Sequence, residues 1–251
     1  MTTHLRVPLH DNGPALWPEY IDLQALEDAR RESGTPIFNT MYQAEPGGLT
    51  GQAIRREFFR YITDGAIERS FIAESTTYMT VDPAFTERTS ADETAIVVGS
   101  IHPNGMMYIR FVWHGRERFP SIVETIAGDH RRIAETRPRS VVGYYKPAAI
   151  GIESVAAQSG LVDMIESLHP DLPIEKLSVN DDKFSRLLAL GADYEFGRIL
   201  HHPALMNSAF ELQLVRLPKA AKHDDMGDAA SMLTRYVDGG GAVAVERPAG
   251  F

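Results

Sequence analysis

The sequence has no cysteine, which excludes a disulfide framework, a thiolate zinc site and a cysteine nucleophile. Any metal must then be held by carboxylate, imidazole or water. Long apolar runs are also lacking. No stretch approaches the 18 or more residues of a membrane-spanning helix, and the opening MTTHLRVPLHDNG has no apolar centre of the kind a signal peptide needs. The chain is therefore expected to be soluble and intracellular, with no membrane partner. Basic residues are in deficit, with 25 Lys and Arg against 34 Asp and Glu and a net charge of -9. That balance argues against a broad basic nucleic-acid footprint and leaves room only for a local or metal-mediated one. What remains is an ordinary globular mixture, 43% hydrophobic and 24% charged over 251 residues, enough to bury a substantial core.

The pattern along the chain changes near residue 76. Residues 1–75 read as an entry segment of helical patches and turns. In it, Ile21, Leu23, Leu26 and Ala29 recur at helical spacing, Thr35-Pro36 breaks that helix, and a short helix follows over 38–43. A basic aromatic run then appears, Arg55-Arg56-Glu57-Phe58-Phe59-Arg60-Tyr61. It can meet DNA or a neighbouring domain, but adjacent aromatics more often pack onto a core, and the run is read that way.

From Thr76, TTYMTVD, TAIVVGSI and MMYIRFVWHG read as three antiparallel strands, with Pro103-Asn104-Gly105 turning between the second and third. An amphipathic helix over 120–137 follows, and then the apolar strand AAIGIE ending at Glu153. Helices near 155–168, 183–190 and 207–215 alternate with strands near 174–179 and 198–201. The last helix starts at Asp224, a good N-cap residue. His201-His202 sits at a strand end without a carboxylate at matching spacing and is read as surface. The three glycines at 239–241 open a tail, 239–251, expected to be flexible. A meander followed by alternating helix and strand predicts an α/β fold, a mixed sheet with helices on its faces, over 76–238.

Three acidic positions end elements that belong in the core, where a carboxylate is costly unless a cation or hydrogen bonds compensate it. Asp82 ends the first strand, Glu153 ends the next apolar strand, and Asp224, Asp225 and Asp228 open the final helix. Glu153 lies 71 residues after Asp82, and Asp225 another 72 beyond it, so only tertiary folding can unite them. Oxygen ligands of this kind suit Mg²⁺ or Mn²⁺ better than zinc. Each acid also has a plainer reading: Asp82 before Pro83 as a strand-ending turn, Asp224 as an N-cap. Glu153 resists one, being the only charge on an otherwise apolar strand.

Four segments taken in order, VDPAFTERTSADETAIVVG, AIGIESVAAQSGLVDMI, NDDKFSRLLAL and KHDDMGDAASML, resemble the nuclease domain of the large terminase subunit of tailed bacteriophages. The upstream LWPEYIDLQALEDARRESGTPIFNTMYQAEP is similar to the segment joining that family's ATPase to its nuclease, so the resemblance covers roughly residues 10 to 236. It implies a ribonuclease-H-like fold and a two-ion Mg²⁺ or Mn²⁺ endonuclease that cuts concatemeric double-stranded DNA at the start and end of packaging. It also implies partners, namely the terminase ATPase domain, the small terminase subunit and the portal protein, and a place in the host cytoplasm. Carried over by position, Asp82 is the first-strand ligand, Glu153 the central carboxylate and Asp225 the first choice on the helix, with Asp224 beside it and Asp228 one turn on.

Other positions leave alternatives open. Asp92 is either an outer ligand or an exposed turn acid, and His223 either orients a water or phosphate or is solvated. Asp182, Lys183 and Arg186 form a DDKxxR patch whose cations neutralise a DNA phosphate, pair with the active-site acids, or simply start a helix in solvent. One departure from the family is plain. Its motor half needs a GxxxxGK[ST] loop, and the Gly-rich PGGLTGQ has no Lys. The chain is thus expected to act as the nuclease half alone. Two rival readings share the fold: a stand-alone, resolvase-like nuclease, and a module that chiefly docks onto the portal or small subunit.

Overall fold

The computed structural model describes residues 15, 19–43, 53–83, 93–128, 140–153, 159–178, 183–217 and 224–237. The expected helix beyond residue 128, Asp92, Asp182, His223 and the tail lie outside these residues.

Among the described residues, seven strands form one mixed sheet in the order β1-β7-β4-β3-β2-β5-β6. The centre is the expected meander: β2 (Thr76–Asp82), β3 (Thr94–Ile101) and β4 (Met107–Gly115) pair antiparallel. The turn closes at Gly105, whose φ of 85° is the left-handed geometry that Asn-Gly supplies cheaply. On one side β5 (Ala149–Glu153) and β6 (Ile174–Leu177) continue parallel to β2. On the other, β7 (Ile199–His201) and β1 (Arg60–Tyr61) continue parallel to β4. The sheet therefore draws its edge strand, and the adjoining helix α3 (Gly65–Glu74), from residues whose sequence pattern reads as an entry segment.

Both faces are covered, and every residue of the middle strand β3 is buried. One face carries Met79, Val81, Ile96, Val98 and Ile152 and packs on α4 (Phe119–Ala127), α5 (Val141–Tyr145) and α6 (Ser159–Leu168). The other carries Ala95, Val97 and Ile109 and packs on α7 (Lys183–Glu195), α8 (Ala209–Leu214) and α9 (Asp225–Leu233). Alternation along β2 then fixes orientation. With Met79 and Val81 on the first face, Thr80 and Asp82 must point at α9, and the Thr80 hydroxyl donates to Ala229 O at 2.6 Å.

Outside α7 lie α1 (Leu23–Ser33) and α2 (Thr35–Tyr42). Pro36 does not break a helix; it sits in the first turn of α2, where its missing N–H costs nothing. The break is Gly34, at φ 80° and ψ 154°, which holds the elbow against α7. Glu195 accepts from the Thr35 amide at 3.0 Å and from its hydroxyl at 2.5 Å. A Cβ on Gly34 would lie 2.9 Å from Ala192 Cβ, and glycine alone adopts such a backbone easily. Gly34→Ala is therefore expected to lower stability by about 1–3 kcal/mol, read as a fall in the urea midpoint with an unchanged slope. Helix α7 runs past its expected end at Leu190 because Gly191, a helix-weakening residue in sequence, is a contact point: Ala53 O would stand 2.9 Å from a Cβ there.

Candidate active site

Asp82 and Glu153 arrive at one place through strand register. Val81 pairs with Ile152 in the parallel β2–β5 ladder, so the next residue of each strand ends it on the α9 face. Asp82 is 9% exposed. Burial, and then the charges of Glu153, Asp228 and Asp225, push its carboxyl well above the ordinary carboxylate range. The three elements expected to meet, the ends of β2 and β5 and the start of α9, do meet.

Helix α9 is held there by contacts that no local sequence signal announces. Besides the Thr80 bond, Gln213 Oε1 accepts from Gly227 N at 2.9 Å, satisfying a first-turn amide of α9. Tyr78 and Tyr236 stack at 4.2 Å at the helix's far end. Asp224 occupies the N-cap position, but its side chain does not cap. Its Oδ1 is 2.6 Å from Lys183 Nζ instead.

That lysine bridges the two outer acids. Lys183 Nζ also lies 2.5 Å from Asp228 Oδ2, and Arg186 Nη2 lies 3.3 Å from Asp228 Oδ1. Burial works against the Lys183 ammonium, yet its bonds to Asp224 and Asp228 outweigh this and hold its pKa above the ordinary value. For Asp228 burial dominates, and its carboxyl is raised despite Lys183. Of the roles open to Lys183 and Arg186, pairing with the acids is the one observed. Asp225 Oδ2 is shielded from solvent on the same helix turn.

An all-oxygen donor set in which the Asp82 and Asp228 carboxyls are raised by burial fits a hard divalent cation. Among the described residues, however, no three His, Asp or Glu side chains stand ready as a cation cage. Lys183 pairs with both Asp224 and Asp228, and Arg186 with Asp228. No described helix is long and apolar enough to cross a membrane.

Neither a family model nor a curated relative matches the sequence. Solved structures do match. The large terminase from a thermophilic bacteriophage superimposes with a TM-score of 0.59 at 11% identity, covering 86% of this chain and 52% of that one. The same protein in complex with ADP gives 0.58 at 12%, with the same coverage. The fold is shared with part of that large terminase. The chain spans about half the length of that phage protein. The human cytomegalovirus terminase nuclease domain, Mn soaked and inhibitor bound, gives 0.49 at 16% identity, over 74% of this chain and 95% of that one.

His201 overturns one sequence expectation. It is fully buried, not surface. Its Nδ1 lies 2.8 Å from Glu211 Oε1 and its Nε2 2.8 Å from the Tyr194 hydroxyl. The carboxylate partner escapes sequence reasoning because it comes ten residues later, on α8, at no recognisable spacing.

Proposed function

We propose that this chain is the nuclease part of a viral DNA-packaging motor, a divalent-metal endonuclease that cuts concatemeric double-stranded DNA at the start and end of packaging. The observation that carries the reading is the convergence of Asp82, Glu153 and the start of α9 on a large-terminase fold. Asp82, Glu153 and Asp225 would hold Mg²⁺ or Mn²⁺. When bound, a pair of such ions supplies water activation and neutralises charge developing on the scissile phosphate. Lys183 and Arg186 keep Asp224 and Asp228 oriented and neutralised, which limits repulsion of DNA by the remaining acids. Grip on the duplex in the assembled motor would come also from the ATPase half, the small subunit and the portal.

Supercoiled plasmid incubated with Mn²⁺ or Mg²⁺ tests this. Nicked and linear products are expected with either ion, without a preferred sequence, and none with a chelator. Absence of ion-dependent products with both metals overturns the proposal. Strong preference for four-way junctions over linear duplex would identify a structure-selective nuclease instead.

A further inference from the structure

The basic aromatic run of residues 55–61 separates by side in the fold. Phe59 is buried, Phe58 and Tyr61 are half-buried, and the Tyr61 hydroxyl donates to Glu211 at 2.8 Å. Arg55, Arg56 and Arg60 stay exposed. The aromatics thus meet the packing expectation, and the arginines are left on the outside.

These guanidinium groups are held mostly by neutral atoms. Arg56 Nη1 donates to Asn207 Oδ1 at 3.1 Å, and Arg60 Nη1 to Glu57 O at 2.7 Å. Arg55 lies over the Phe58 ring, its Cζ 5.4 Å from the centroid, and pairs at 3.6 Å with exposed Glu57. Neither Arg56 nor Arg60 has an ion pair with a described residue. A guanidinium fixed by one neutral acceptor keeps its full charge and most of its five donors. In a chain of net charge -9, such a group is poorly explained by internal neutralisation.

Position supplies the second half of the argument. Ala53 N donates to Leu217 O at 3.4 Å, which brings exposed Arg216 alongside the same segment. Arg216 too has no ion pair with a described residue. Leu217 in turn packs on Gly227, where a Cβ would lie 2.6 Å from its Cδ1. Gly227 stands between Asp225 and Asp228. Leu217 thus links the segment that carries the arginines to the helix turn that carries Asp225 and Asp228.

We infer that Arg55, Arg56 and Arg216 form a phosphate-holding stripe that grips the DNA backbone away from the acid centre. The inference rests on the nuclease reading and adds to it a place where the backbone is held without metal. Acids at the centre repel DNA, so a cationic contact outside it lets the duplex dock before ions complete the site.

The test is fluorescence anisotropy with a 30-base-pair duplex in chelator across a salt series, using the full chain. Arg55→Gln/Arg56→Gln/Arg216→Gln is expected to weaken binding at least about tenfold and to reduce the log–log salt slope by two to three, at about 0.9 per lost phosphate contact. Arg216→Gln alone should reduce it by about 0.9 and keeps the test valid if the triple variant unfolds. A charge-matched control, Arg31→Gln/Lys146→Gln/Lys176→Gln, removes exposed cations elsewhere and should cost less than about threefold, because its sites lack the direct contact. An unchanged slope in the stripe variants, an equal loss in the control, or no binding by the parent chain overturns the stripe. Ion-dependent plasmid cutting, measured in parallel, then shows whether the nuclease reading stands or falls with it.

Discussion

Asp82→Asn is expected to abolish ion-dependent plasmid cutting, by about 10³-fold or more, equivalent to about 4 kcal/mol of lost transition-state stabilisation, while making the metal-free protein more stable. Both effects have one cause. Asp82 is 9% exposed and faces Glu153, Asp225 and Asp228, whose charges oppose its own. The asparagine keeps the shape and removes one negative charge, relieving repulsion worth about 1–2 kcal/mol. Because burial and those charges raise the folded carboxyl above its unfolded value, its contribution is least costly at acid pH. The cost grows as pH rises from the ordinary carboxylate range through the raised value. The variant's advantage in Tm should therefore widen towards neutral pH. Saturating Mn²⁺ should reverse the ranking, since about 100-fold excess over Kd stabilises a binder by about 2.7 kcal/mol and leaves a non-binder unchanged. Undiminished cutting by Asp82→Asn, or a lower Tm than the parent at pH 7 without metal, would contradict this account.

Glu211→Ala is expected to cost about 3–5 kcal/mol of folding stability, with no direct effect on the acid centre. Glu211 is 4% exposed and accepts from the Tyr61 hydroxyl at 2.8 Å, from His201 Nδ1 at 2.8 Å and from Asn207 N at 2.7 Å. Truncation leaves those donors without an acceptor in a site shared with Phe59, Tyr194 and Phe210. Burial alone would raise the Glu211 carboxyl, but the bonds from His201, Asn207 and Tyr61 outweigh it and hold it below the ordinary value. That stabilisation is complete above the unfolded carboxylate pKa and disappears as pH falls through the lowered one. Chemical denaturation from pH 7 down to about pH 3 should show the parent losing this increment and Glu211→Gln lacking it at every pH. A parallel pH profile for the two proteins would contradict the assignment.

The sheet's centre is legible in the residues because both of its signals are local. TTYMTVD and TAIVVGSI map onto β2 and β3 without a shift, and the Asn104-Gly105 turn is where composition puts it. Glu153 is legible as a lone charge on an apolar strand. Local signals fail where tertiary contacts decide. Gly191 reads as a helix end but serves as a contact for Ala53. Asp224 reads as a cap but binds Lys183. His201 reads as surface because Glu211 lies on another element. Thr80 and Gln213, which fix α9 over the acids, carry no mark in sequence at all. Their partners, Ala229 O and Gly227 N, are backbone atoms available at any residue.

The wide spread of the acids along the chain has a consequence for folding. Pairing of β2 with β5 unites Asp82 and Glu153, whereas Asp225 and Asp228 reach them only when α9, which begins 72 residues beyond Glu153, packs on the same sheet. Loop-closure entropy opposes contacts so distant in sequence, so the acid cluster is expected to form late in folding, after the sheet that frames it.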